Sequence, residues 1–234
     1  VFAPAKNEIR PELSGVLLKI DPGAKQIVFA ATDSFRLAEK KVSYGGENTQ
    51  EKSVILPARA VFEMARLLGG VTDQNTIANM RISETQVSQT VDETQLVARL
   101  VEGKYPDYTQ IIPTQFQTKI VHNKAEFIKN IKAAGLFSTG GVSGIKLITE
   151  PDKGQIILEA EHAQLGNYES SFESDISGDK ASIVLNYKFL LDGVNALPAS
   201  VEKVLIEISG TETPCLIKGD GEKSFIYIIM PIRH

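Results

Sequence analysis

Apolar and polar positions alternate along most of the chain, in short runs broken by turn residues. In the first half SGVLLKI (14–20), IVFAATDS (27–34) and FRLAEKKVSY (35–44) carry this alternation and many β-branched residues, with DPGAKQ as the first turn. They are predicted to be strands. SVILPARAVFEMARLLGG (53–70) opens as a strand and becomes a helix from about Ala58, with Gly69 and Gly70 as its stop. NTIANMRISET, QVSQTVDE and TQLVARLVEG supply three further strands.

The second half runs through the same order. VSGIKLITE, a turn at PDKG, QIILEAEHAQ and LGNYESSFES parallel the opening strands; SIVLNYKFLLDGVNALPA parallels the strand-then-helix segment. KVLIEISGTE, TPCLIKGDGE and SFIYIIMPIR parallel the closing strands. Matching positions lie about 125–130 residues apart, too far for a solenoid and suited to a duplicated domain. Leu67-Leu68, for example, corresponds to Ala196-Leu197. The second half alone opens with a helix, NKAEFIKNIKAAGLF, in which Phe127, Ile128, Ile131 and Ala134 fall at helical spacing. The expectation is therefore that the first domain lacks an opening strand and helix. Pro106 and Pro113 punctuate the connecting segment, and the domains are expected at 1–118 and 119–234. The fold class implied is α+β, two domains of one fold with helices on one face of antiparallel sheet.

Composition narrows the function. With 42% hydrophobic and 23% charged residues the chain is an ordinary globular mixture. No stretch approaches the roughly 20 apolar residues of a membrane span, and the N-terminal VFAPAKNEIRP is neither a signal nor a transit peptide. A single cysteine, Cys215, points to a reducing cytoplasm. The net charge of −4 argues against nucleic acid if taken alone. It is unevenly spread, however. Arg59 and Arg66 against Glu63, Lys124, Lys129 and Lys132 against Glu126, and Lys188 against Asp192 give the three helices about +3, leaving about −7 for strands and loops.

Catalytic signatures are absent. There is no GxxxxGK or GxGxxG motif, and Gly140-Gly141-Val142-Ser143-Gly144 leads into a strand, as a turn would. His122, His162 and His234 have no second ligand at metal-binding spacing. Cys215 sits in an apolar strand without a neighbouring histidine, as a packed residue does. No catalytic pair, metal or cofactor is expected. Two features stand out instead. The run Phe225–Arg233 is apolar almost to the chain end, where chains are normally polar. And Asp33-Ser34 forms a tight polar turn between two strands.

Four strings in order, TDSFRLA, ILPARA, EGKYPDY before an IIP, and YIIMPIR, resemble the bacterial sliding clamp family, the β subunit of DNA polymerase III. The resemblance extends over essentially the whole chain. It implies three domains of one fold per full-length chain, of which this chain would hold most of the second and all of the third. Two such chains close head-to-tail around duplex DNA, helices inward, binding phosphates without reading sequence; a chain lacking one ring-closing surface is expected not to encircle DNA by itself. The resemblance also implies a non-catalytic, cytoplasmic, nucleoid-associated processivity factor. Its partners would be polymerases, the clamp loader and mismatch-repair proteins, whose short motifs enter a hydrophobic pocket at the junction of the second and third domains. Carried over by position, that pocket comprises Leu13, Thr32, Ser34, Phe35, Arg36, Leu37, Pro106, Ile111, Asn186, Phe189, Pro214, Ile228, Met230, Pro231, Ile232 and Arg233. The family commonly has histidine where this chain has Phe35, so a polar tip is lost there. For DNA, helix charge and the ring arrangement point to Arg59, Arg66, Lys124, Lys129, Lys132 and Lys188, with Asn7 and Arg10 from the loop before the first strand. The competing readings are a hydrolase using Asp33 or Asp107 on a duplicated α+β fold, and an interaction module unrelated to replication.

Overall fold

The computed structural model describes residues 1–2, 10–44, 50–73, 75–138 and 143–233. The chain divides into two compact units, Val1–Ser34 with Glu39–Pro106, and Phe35–Ala38 with Asp107–His234. The division at Pro106 falls earlier than the expected 118/119. Residues 107–117 go with the second unit because their backbone is tied there: Gln117 N–H donates to the Ile208 carbonyl, and the Gln115 carbonyl accepts from the Ser209 hydroxyl.

In the first unit β1 (Gly15–Asp21), β2 (Gln26–Thr32), β3 (Arg36–Ser43) and β4 (Lys52–Pro57) lead into α1 (Ala58–Gly69). After it come β5 (Ala78–Ile82), β6 (Gln86–Val91) and β7 (Thr94–Arg99). β3 is shared, since its first three residues belong to the second unit. β1 lies between β2 and β4, and β6 between β5 and β7, all antiparallel. Leu18, Leu56, Met64 and Val87 join both sheets and α1 in one core. Pairing of Leu18 with Val54 and of Val87 with Ala98 keeps the apolar positions of neighbouring strands on that side.

The second unit begins with β8 (Thr118–Asn123) and α2 (Lys124–Gly135), followed by β9 (Gly144–Glu150), β10 (Gln155–His162), β11 (Gly166–Glu173) and β12 (Asp175–Gly178). β13 (Ser182–Asn186), α3 (Tyr187–Asn195), β14 (Lys203–Ile208), β15 (Cys215–Gly219) and β16 (Phe225–Ile229) complete it. One sheet runs β12-β8-β14-β15-β16 and then meets the start of β3; the other runs β11-β10-β9-β13. Every described pairing is antiparallel, as expected for this fold class. Strict alternation puts Ile156, Leu158 and Ala160 of β10 and Ile145, Leu147 and Thr149 of β9 inside. Phe127, Ile131 and Ala134 of α2 are fully buried, while Ile128 is only half-buried.

Both α-helices of this unit start on an asparagine. Asn123 accepts from Glu126 N–H, and Asn186 accepts from the N–H groups of Lys188 and Phe189, satisfying donors that the first turn leaves open. α2 packs on α3 where Gly135 meets Tyr187. A Cβ on Gly135 would lie 2.6 Å from the tyrosine ring, so a larger residue would separate the helices.

Candidate ligand-binding site

The start of β3 and the end of the chain meet in the second unit. Ser34 takes a positive φ of 77°, and its N–H donates to the Thr32 hydroxyl, closing the predicted polar turn. The chain then enters β3 beside the terminal segment, where the Phe35 carbonyl accepts from Met230 N–H at 2.8 Å. Two residues on, Ile232 N–H donates to the Val184 carbonyl of β13 at 2.9 Å. An apolar chain end is thus stitched to β3 on one side and to β13 on the other.

Arg36 is the polar centre of this arrangement. Its Nη1 donates to Asp192 Oδ2 of α3 at 2.5 Å and to the Tyr227 hydroxyl at 3.4 Å. Its guanidinium carbon lies 4.2 Å from the centroid of the Phe189 ring, a cation–π stack. Tyr227 is buried against α3, and Gly193 permits the approach: a Cβ there would be 2.5 Å from the tyrosine ring. Phe35 is 62% exposed and Ile111 is exposed, while Met230, Ile232, Pro214 and Phe189 are half-buried. An exposed phenylalanine on a backbone held by its neighbours costs hydration free energy in the free protein, and that cost is relieved when something apolar covers it.

The predicted pocket residues therefore sort into groups. Phe35, Arg36, Phe189, Ile111, Pro214, Met230, Ile232 and Arg233 have surface in the second unit. Leu37, Ile228 and Pro231 are buried there and support the surface from beneath. The Asn186 side-chain oxygen is occupied in capping α3. Thr32, Ser34, Leu13 and Pro106 belong to the first unit. Leu13 is only 1% exposed and packs in the core, so its predicted ligand contact is corrected to a structural role. Thr32 is buried, its N–H donating to the Tyr105 phenol at 3.0 Å. Asp192 and Tyr227 were not predicted. Asp192 entered only the helix charge count, and nothing local in sequence links it to an arginine 156 residues away.

Among the basic residues, Arg59, Lys129, Lys132, Lys188 and Arg10 are exposed. Arg66 is exposed but pairs with Glu63 at 2.8 Å. Lys124 is corrected: its ammonium donates to the carbonyls of Leu197 and Pro198 at 2.9 and 3.0 Å, just beyond the C-terminal end of α3, and is not presented to solvent like the others. Asn7 lies outside the described residues. Among the described residues no three His, Cys, Asp or Glu side chains group as a metal site, and no helix is long and apolar enough to cross a membrane. Cys215 is buried, and burial pushes its thiol up to about 12.

Known proteins share this organisation. Residues 1–107 match the family described as DNA polymerase III beta subunit, central domain, and residues 109–233 match DNA polymerase III beta subunit, C-terminal domain. A beta sliding clamp of Bacillus subtilis is 27% identical over 234 residues, covering 100% of this chain and 60% of the relative. One from Staphylococcus aureus is 30% identical, covering 99% and 59%. The chain thus spans about three-fifths of the length of these relatives. The solved DNA polymerase sliding clamp of B. subtilis superposes with a TM-score of 0.89 at 27% identity, over 99% of this chain and 60% of that one. A Pseudomonas aeruginosa clamp bound to griselimycin shares the fold, with a TM-score of 0.90 at 24% identity over 99% and 60% of the two chains.

Proposed function

The chain belongs to the family of DNA polymerase III β subunits, the bacterial sliding clamps, through their central and C-terminal domains, and from that premise we propose that it acts as the partner-capturing portion of a processivity clamp. Its second unit takes up short, extended, apolar peptide segments of polymerases, the clamp loader and repair proteins on the surface of Phe35, Phe189, Met230 and Ile232. The observation that carries the reading is the exposed Phe35, set beside an apolar chain end that is hydrogen-bonded to β3 and β13. Two or three apolar anchors each gain roughly 1.5–3 kcal/mol on burial. Less the cost of ordering a flexible peptide, this suits an affinity near micromolar, about −8 kcal/mol, a strength at which partners can take turns.

In the full-length protein, by the same proposal, two chains form a head-to-tail ring on duplex DNA in the cytoplasm. Arg59, Lys129, Lys132, Lys188 and Arg10 contact phosphates without reading bases, and the chain performs no catalysis. Fluorescence polarisation of a labelled Gln-Leu-x-Leu-Phe peptide tests the site. Micromolar binding is expected, weakened at least about tenfold by the double substitution Met230→Ala, Arg233→Ala. Undiminished binding by a folded double variant would remove the chain end from the site.

A further inference from the structure

We propose that His122 and Glu126 form a binding site for a divalent cation of the zinc class, where β8 runs into α2 in the second unit.

The imidazole of His122 is only 6% exposed and is fixed by its neighbours. Phe172 of β11 lies against it with ring centroids 4.9 Å apart, and Phe127 of α2 meets it edge-on at 5.9 Å. Its Nδ1 is 2.9 Å from the Ser174 hydroxyl. That hydroxyl spends its own hydrogen on the Glu173 carbonyl at 2.8 Å, so Nδ1 carries the ring proton and donates it. A neutral imidazole has one donor and one acceptor nitrogen, which leaves the lone pair on Nε2. Nε2 is buried and, among the described residues, has no hydrogen-bond partner. What it faces is the Glu126 carboxylate, with Oε2 at 3.7 Å. Two buried or half-buried acceptors aimed at one another repel unless something electron-poor lies between them.

A metal ion meets that need. Zinc bonds to histidine nitrogen and carboxylate oxygen are about 2.0–2.2 Å long, so a single ion can reach two donors 3.7 Å apart. The Glu126 side chain is 57% exposed and can adjust to the ion. An imidazole that anchors its Nδ1–H and presents Nε2 has the tautomer and the second partner typical of a metal-binding histidine. The charge of the cleft points the same way. Glu126, Glu173 and Asp175 line it with Lys153 and Lys203. Glu150 already engages Lys153 at 2.6 Å, and Lys203 lies 3.9 Å from Asp175, so a cation is favoured over an anion. A mixed nitrogen and oxygen pair suits zinc better than calcium or magnesium, which take oxygen ligands. No three His, Cys, Asp or Glu side chains among the described residues group as a metal site, so solvent would complete the coordination. Affinity is then expected on the order of 10–100 µM, far weaker than a four-ligand structural zinc. The bound ion would tie the first turn of α2 to β8.

Isothermal titration of the chain with zinc chloride at pH 7.5 tests the site, beside His122→Gln, Glu126→Gln and the double variant His162→Gln, His234→Gln. One ion per chain is expected, bound at least about tenfold more weakly by His122→Gln and at least about threefold more weakly by Glu126→Gln. The double variant should bind as the wild type does. Zinc should also raise the thermal midpoint of the wild type and leave that of His122→Gln where it was. Should His122→Gln fail to fold, Glu126→Gln decides, since its side chain is more than half exposed. Zinc binding that survives both substitutions, or that disappears only with His162 and His234, overturns the proposal. A folded wild-type chain that binds no zinc at about 1 mM overturns it too.

Discussion

Tyr105→Phe removes one oxygen and nothing else. The Tyr105 phenol accepts the Thr32 N–H at 3.0 Å, and both residues are buried, 8% and 6% exposed. Phenylalanine keeps the ring and its packing, and a buried backbone donor loses this acceptor. Leaving such a group unsatisfied costs about 1–3 kcal/mol, against about 1 kcal/mol for an ordinary hydrogen bond that water can replace. The geometry places this case toward the middle of the range, at about 2 kcal/mol. In urea the expected result is a lower midpoint with an unchanged slope. Heating should lower the midpoint by about 4–8 °C for a chain of this size unfolding as one unit.

The same oxygen offers an independent check. Burial, with added repulsion from Asp33 and Glu12, pushes the Tyr105 hydroxyl up to about 12 although the Thr32 N–H favours ionisation. An absorbance titration should therefore show a tyrosine that ionises near 12, and Tyr105→Phe should remove it. The linkage has a definite sign: the unfolded tyrosine ionises near 10 and the folded one near 12, so the contribution to stability is intact below pH 10 and lost as pH rises toward 12. A loss below about 0.3 kcal/mol in Tyr105→Phe would refute the reasoning, since it would mean that the Thr32 amide finds another acceptor at no cost.

Other expectations follow from single contacts. Cys215, buried with its thiol raised to about 12, should resist thiol reagents at pH 8 in the native protein and react on unfolding; fast native labelling would contradict its packing. Burial lowers the His122 pKa below 6.5 despite nearby Glu126, so the unfolded state takes up the proton first and stability should fall as pH drops below about 6.5. His122→Gln should flatten that part of the curve, and an unchanged slope would place the titration elsewhere. Gly193→Ala sets about 1 kcal/mol of helix propensity against overpacking on Tyr227, and a net loss of about 1–2 kcal/mol is expected in urea; a gain would show that the ring can move. In the full-length clamp Lys129→Ala with Lys132→Ala should reduce the salt slope of DNA affinity by roughly 1.8, whereas Lys124→Ala should lower stability and leave that slope alone, because its ammonium already serves the carbonyls beyond α3.

Hydrophobic period alone was enough to place most elements. The helix read from about Ala58 with Gly69 and Gly70 as its stop is α1, Ala58–Gly69, and NKAEFIKNIKAAGLF contains α2. These segments are legible because a buried face forces its own spacing on the sequence. β12, Asp175–Gly178, was not foreseen: four residues, three of them exposed, carry no such pattern. Leu13 shows the limit of carrying a role over by position, since residue type and neighbourhood fit a pocket but burial puts the side chain in the core. Lys124 shows the limit of counting helix charge, because a lysine in a first turn can reach the carbonyls beyond another helix's end. The Arg36–Asp192 pair joins elements 156 residues apart, and no local pattern encodes it.

The duplication sharpens the functional point, because it supplies an internal control. With Leu67-Leu68 set against Ala196-Leu197, the residues of α3 that build the site have counterparts in and just before α1: Asn186 with Pro57, Phe189 with Ala60, Asp192 with Glu63 and Gly193 with Met64. Two strand-then-helix joints of one design carry entirely different chemistry. Ala60 and Met64 are buried, Met64 filling core space where Gly193 admits a tyrosine ring, and Glu63 pairs with Arg66 of its own helix rather than with a distant strand. Pro57 caps nothing with its side chain, whereas Asn186 fixes the first turn that presents Phe189. Since the scaffold is common to both, it cannot be what makes the site. What distinguishes α3 is a small set of substitutions that open room for Tyr227, orient Arg36 and leave an aromatic face half-exposed, and these are the positions where a change should alter ligand choice before it alters the fold.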